Sequence, residues 1–137
     1  MQKILIGYDA SPQAEKAFSF GLDLAAKYGA RMLVVSVASP PEPPEMVETQ
    51  AVLENAKEYY EGHFAKLRDA AVTTGVAVEF LVLVGHPADQ IVRLAVERKA
   101  DLIVMGHRGR SAIEQWLLGS VARRVMNHAP CTITIVR

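Results

Sequence analysis

"MGHRGRSAIEQWLLGSVARRV" (Met105–Val125) joins a hydrophobic, strand-like run to an amphipathic, helix-like one and holds three of the chain's nine glycines. Gly106, Gly109 and Gly119 fall in the spacing G-2x-G-9x-G, with Ser120 directly after the last. Strand, glycine turn and helix in succession form the unit from which parallel α/β sheets are built. Glycine allows positive φ and has no Cβ, so the amides of a turn from Gly106 to Gly109 can converge on an anion. Gly119 and Ser120 open the next helix, whose unpaired N–H groups and positive dipole end favour phosphate, and the Ser120 hydroxyl adds a donor. Together these residues make a phosphate cradle flanked by Arg108 and Arg110. Taken singly, they are a strand end, a turn glycine and an ordinary helix N-cap.

Outward from this stretch, short apolar runs alternate with longer segments of helical period. "KILIGY" (3–8) is a strand; Ser11 and Pro12 suit the cap and first turn of a helix whose stripe is Ala14, Ala17, Phe18, Gly21, Leu22, Ala25 and Tyr28, ended by Gly29. "RMLVVSV" (31–37) is a second strand, and four of the seven prolines crowd between Pro40 and Pro44, which excludes helix or central strand there. A long helix to about Thr74 carries Leu53, Ala56, Tyr60, Phe64, Leu67 and Ala71 on one face; "VAVEFLVLV" (76–84) is a third strand. A third helix over 86–99 turns Ala88, Ile91, Val92 and Ala95 inward. "DLIVM" (101–105) and "TITIV" (132–136) are the last strands, separated by the quoted stretch and a helix from about Ser120 to His128.

Strands this apolar are covered on both faces, and the alternation calls for right-handed crossovers between parallel strands. The fold class is α/β: a single open, doubly wound, Rossmann-like sheet of five mainly parallel strands, in one domain over 1–137. Ligands in such sheets bind beyond the carboxyl ends of the strands, where the strand order reverses. With the order 3-2-1-4-5, which sequence alone does not fix, Asp9 and Ser11 after the first strand would share a crevice with Gly106 to Gly109 after the fourth. Asp9 also suits a turn or helix cap.

Composition narrows the classes of function. The chain has 137 residues, half of them hydrophobic, and its 15 basic and 15 acidic side chains cancel, so no overall field draws it to nucleic acid or to an anionic membrane. One cysteine, Cys131, excludes an internal disulfide and fits a reducing compartment; without a leader pattern or a long apolar segment the expectation is a cytoplasmic protein. Four scattered histidines give no metal-ligand spacing. His107 could touch phosphate or be polar surface. His63 and His86 read as helix-face and loop residues, and His128 suits a helix C-terminus. Cys131 reads as a buried small residue, and Tyr59, Tyr60 and Trp116 as packing, Trp116 also standing where it could shield a ligand.

"ILIGYDASPQAEKAF", "GHPADQIV", "ADLIVMGHRGRS" and "LLGSVARRVMNHAPCTITIVR", with the glycine spacing above, resemble the ATP-binding branch of the universal stress proteins over essentially the whole chain. The resemblance implies the adenine nucleotide alpha hydrolase-like fold and ATP as ligand, with Mg able to accompany the phosphates. It places Asp9 by the ribose and phosphates, the backbone around Val37 and Ala38 at the adenine, and Gly106, Gly109, Gly119 and Ser120 at the phosphates. Met105, His107, Arg108 and Val121 border these positions and complete the candidate set. Residues 7–10, Gly-Tyr-Asp-Ala, depart from a family pattern that often has a proline or small apolar residue before the Asp and a glycine after it.

The chain lacks the Walker spacing GxxxxGK[ST], a lysine aimed at a γ-phosphate and a group placed to orient water. Three readings stay open: an ATP-binding regulatory switch acting on an unidentified protein partner, a slow ATPase or phosphotransferase, and a dimeric interaction protein without nucleotide. The last strand would leave an unpaired ladder, and the resemblance implies a homodimer through residues 131–137. The proline loop from Ser39 to about Glu48 is expected to be quieter with ATP bound.

Overall fold

The computed structural model describes residues 1–40, 46–108 and 118–137, with α2 side chains described from residue 50 onward. The elements follow in the order β1 (Lys3–Gly7), α1 (Pro12–Tyr28), β2 (Arg31–Ala38), α2 (Met46–Thr74), β3 (Val78–Val84), α3 (Pro87–Glu97), β4 (Leu102–Gly106), α4 (Ser120–His128) and β5 (Thr132–Val136). The sheet runs β3-β2-β1-β4-β5 and every one of its pairings is parallel.

Strand alternation divides the core in two. Ile4 and Ile6 of β1 point into a layer with Phe18 and Leu22 of α1 and Tyr60, Phe64 and Leu67 of α2. Leu5 points the other way, to Ile91 and Leu94 of α3 and Val125 of α4. The central strands are covered on both faces, but the edge strands are not: Thr132 is exposed and the rest of β5 only partly buried, and β3 is similar. Their continuous apolar sequence exaggerates their burial because, among the described residues, each has a neighbouring strand on one side only.

Local chemistry sets the helix ends. Ser11 Oγ accepts from the Ala14 N–H at 3.0 Å, Pro12 occupies the first turn, and Gly29 ends α1 at φ 67°. Tyr28, read as part of the buried stripe, is 61% exposed at that end, and Leu53 of α2 is only partly buried. Among the described residues no helix is long and apolar enough to cross a membrane.

Candidate functional site

Because β1 lies between β2 and β4, the crossovers from β1 and β4 leave to opposite faces and a crevice opens between their carboxyl ends. A cleft of about 1000 Å³ occupies it. Gly7, Tyr8, Asp9 and Ser11 form its floor at the end of β1; Val35, Val37, Ala38 and Ser39 form one wall; Met105, Gly106 and Arg108, with Leu118 to Ala122 at the start of α4, form the opposite wall.

The β1 end is held in place by short-range hydrogen bonds. Asp9 Oδ1 accepts from the Ser11 N–H at 3.0 Å, an Asx turn that feeds directly into the Ser11 cap. Asp9 is thus a turn aspartate and also a cleft residue. Ala10, where the resembling family often has glycine, takes the left-handed conformation at φ 66°. A Cβ there costs about 1 kcal/mol, so the turn is held by its surroundings. The buried Ser36 hydroxyl donates to the Tyr8 carbonyl at 2.7 Å, and the Tyr8 hydroxyl donates to Glu15 Oε1. Burial, and then the bond to Glu15, raises the Tyr8 phenol well above its ordinary pKa, so the ring is neutral.

At the β2 end, the Tyr8 N–H donates to the Val35 carbonyl at 2.9 Å and the Gly85 N–H to the Ala38 carbonyl at 2.9 Å. Alternation along the strand therefore turns Ala38 toward β3 and Val37, like Val35, toward β1. Since β1 has already left the sheet at Gly7, the N–H and C=O of Val37 point toward the cleft.

On the α4 side, Gly119 is the N-cap at φ −61° and ψ 152°, without a side-chain cap and with no acidic residue in the first turn of the helix. The next N–H groups, from Ser120 to Ala122, carry the helix's positive end into the cleft wall. The Gly119 N–H donates to the His107 carbonyl at 2.8 Å, which ties this cap to β4.

Of the expected contacts, Asp9, Val37, Ala38, Met105, Gly106, Arg108, Gly119, Ser120 and Val121 line the cleft. Gly109 lies outside the described residues, as do Arg110, Trp116 and most of the proline loop. Gly106 is there for a reason other than positive φ: it continues β4 opposite Val136, and a Cβ would stand 2.6 Å from Gln13 Cβ and 2.9 Å from the Gln13 carbonyl carbon. Its missing side chain lets α1 approach the sheet. His107 is neither polar surface nor among the residues that line the cleft; it is 6% exposed and lines a second, smaller cavity. Desolvation and then Arg137 and Arg108 lower its pKa, which leaves the imidazole neutral at pH 7. Cys131 is partly buried, its thiol pushed up by burial and by Asp101.

Residues not anticipated at the cleft include Tyr8, Asn55, Ala56, Tyr59, Tyr60 and Ile91. Asn55 and Tyr59 stand one turn apart on α2, and Tyr59, 47% exposed, packs edge-on against Tyr60 with ring centroids 5.0 Å apart. Tyr60 in turn meets Tyr8 at 6.4 Å. The i, i+4 pair Asn55 and Tyr59 was the available signal, hidden because tyrosines on a helix read first as packing.

An open parallel sheet with a cleft at its switch point, a backbone donor–acceptor pair on one wall and a helix N-terminus on the other defines a doubly wound α/β domain. Comparison with known proteins narrows the class. The model of the universal stress protein family matches residues 1–137. A universal stress protein of Thermus aquaticus, encoded 3′ of a QAH/OAS sulfhydrylase, is 38% identical over 98% of this chain and 97% of its own. The structure of universal stress protein UspA from Lactobacillus plantarum superimposes with a TM-score of 0.87 at 23% identity, covering 99% of this chain and 97% of that one. A universal stress protein solved in complex with cAMP superimposes at 0.76 and 29% identity, over 99% and 97% of the two chains. The chain belongs to the universal stress protein family.

Proposed function

We propose that this protein binds an adenine nucleotide in the cleft, with ATP as its ligand, and that occupancy acts as a regulatory switch. The observation that carries this reading is the pairing of two recognition elements across one cleft. Val37 offers a neighbouring N–H and C=O, the complement of the acceptor–donor edge of adenine, while the start of α4 offers N–H groups, a dipole and the Ser120 hydroxyl for phosphate. Asp9 at the β1 end stands where a ribose hydroxyl between the two would need an acceptor. The cAMP complex of the 29% identical relative supports an adenine nucleotide as the ligand class.

The lining favours binding over turnover. Among the described lining residues Asp9 is the one carboxylate, with Oδ1 already accepting from Ser11, and there is no lysine. A Mg ion would arrive with the phosphates, since no group of three or more His, Cys, Asp or Glu among the described residues could hold it alone. Assembly is part of the same reading: among the described residues β5 is paired on one side only, by β4, and pairing with β5 of a second copy would complete its ladder and make a homodimer through residues 131–137. Light scattering at micromolar concentration should give a dimer mass, and a monomer contradicts the assembly.

The function is tested by denaturing the purified protein and weighing what it releases. An adenine nucleotide in the supernatant, or its uptake by the emptied protein in calorimetry, is the expected result. A protein that releases none and takes up none overturns the reading.

A further inference from the structure

At the carboxyl ends of β4 and β5 lies a second cavity of about 280 Å³, lined by Gln13 of α1, His107 and Arg108 after β4, and Arg137 after β5. It is separate from the nucleotide cleft: Gln13, His107 and Arg137 do not line the cleft, Gly119 and Ser120 do not line this cavity, and Arg108 borders both. We propose that this cavity is a binding site for a small phosphoryl oxyanion.

Three observations carry the assignment. The four residues that line it are two arginines, a histidine and a glutamine, a donor-rich set in which the Arg137 guanidinium can hold an oxyanion through two parallel bonds. The volume lies just below the usual range for organic-ligand pockets, about 300–1000 Å³, and admits an inorganic anion with water but not a nucleotide. The set is also held in place. His107 is 6% exposed, its N–H donates to the Val136 carbonyl at 2.6 Å, and its own carbonyl accepts from Gly119, so β5 and the α4 cap fix its backbone. Gln13 is fixed by its close packing on Gly106.

The charges facing His107 are those of Arg108 and Arg137, which with desolvation keep the imidazole neutral. An oxyanion between the guanidiniums reverses that field, so its arrival draws a proton onto His107 and turns the ring from a single donor into a double one. The anion can be free phosphate or the terminal phosphate of a nucleotide reaching past Arg108, and the two sources are separable.

The test is the pH titration of the His107 ring by NMR, its resonance assigned by its loss in His107→Gln, for the full chain with inorganic phosphate alone, with phosphate plus AMP, and with ATP alone. A phosphate-dependent rise in the His107 pKa that persists with AMP supports a free anion; a rise with ATP but not with phosphate supports the nucleotide's terminal phosphate in the same cavity. Arg137→Ala, at an exposed position away from the cleft, should weaken either effect about tenfold. Gln13→Ala keeps the Cβ that packs on Gly106 and should weaken it less. No shift with either ligand, or a shift unchanged in Arg137→Ala, overturns the proposal. The phosphate arm does not depend on nucleotide binding.

Discussion

The two ends of the sheet are built differently. At the amino ends of the strands, polar groups close on one another: Asp101 accepts from the N–H groups of Gln2 and Lys3 at 2.6 and 2.8 Å, Lys3 Nζ donates to the Arg98 carbonyl at 2.9 Å, and Arg98 holds Glu79 by two bonds of 2.9 and 3.0 Å. At the carboxyl ends, Ala10 takes a left-handed turn, α4 begins without a side-chain cap, and a cleft replaces packed side chains. Backbone donors satisfied within the fold at one end are aimed at solvent or ligand at the other. The contrast teaches that in this sheet polar groups close the amino ends, while the carboxyl ends present the groups that the proposed recognition would use; left-handed residues stand at both, Lys99 at the first and Ala10 at the second.

The sharpest way to break that division is to place side chains on two glycines of the open end that serve different purposes. Gly119→Val should remove measurable nucleotide binding, since the new side chain stands on the cleft wall, while costing the fold about 1 kcal/mol as a poorer N-cap. Gly106→Val should do the reverse: with Gln13 only 2.6 Å from the new Cβ, overpacking costs about 3 kcal/mol, and any folded fraction keeps much of its affinity. Calorimetric titration and thermal melts on both variants check the pair, and equal stability losses would erase the distinction.

A smaller effect sharpens the claim of stored strain. Ala10→Gly relieves the left-handed Cβ but loosens the unfolded chain, so chemical denaturation should show a small net gain, about 0.5 kcal/mol. A loss would mean that Ala10 is not strained.

The smallest effect belongs to the closed end. The N–H donors of Gln2 and Lys3 hold the Asp101 carboxyl below its ordinary pKa. Its contribution is therefore present above the unfolded value of about 3.9 and is lost as the pH falls through the folded value. Melting temperatures of wild type and Asp101→Asn should differ slightly near neutrality and converge in acid, with nucleotide affinity unchanged at neutral pH. A gap that widens in acid contradicts the sign.

These contrasts were unevenly legible in the residues. Ser11, Pro12 and Gly29 mark the ends of α1 because caps depend on local side chains, and apolar runs mark all five strands, the central ones buried on both faces and the edge ones only partly buried. The strand order has to be assumed, since local periodicity carries no information about which strands pair; the glycine cradle is read from its spacing, and Val37 and Ala38 come with the family resemblance. Gly106 was legible as a glycine but not in its purpose: contact with Gln13, more than ninety positions away, is a tertiary fact. The same holds for His107, buried by α1 and β5, and for Asn55 and Tyr59, whose approach to the cleft depends on where α2 crosses β2. Left-handed Ala10 had no signal beyond the family's habit of placing glycine there.

The central claim is that the start of α4 recognises phosphate. Calorimetric titration with ATP and with adenosine, on the wild-type protein and on Ser120→Ala, tests it most directly, because the two ligands share the groups that would meet Val37 and differ in the phosphates, which would meet Gly119, Ser120 and Arg108. ATP should bind at least about tenfold more tightly, the worth of one charge-assisted hydrogen bond, and Ser120→Ala should narrow the gap. Equal affinities for the two ligands would contradict the account.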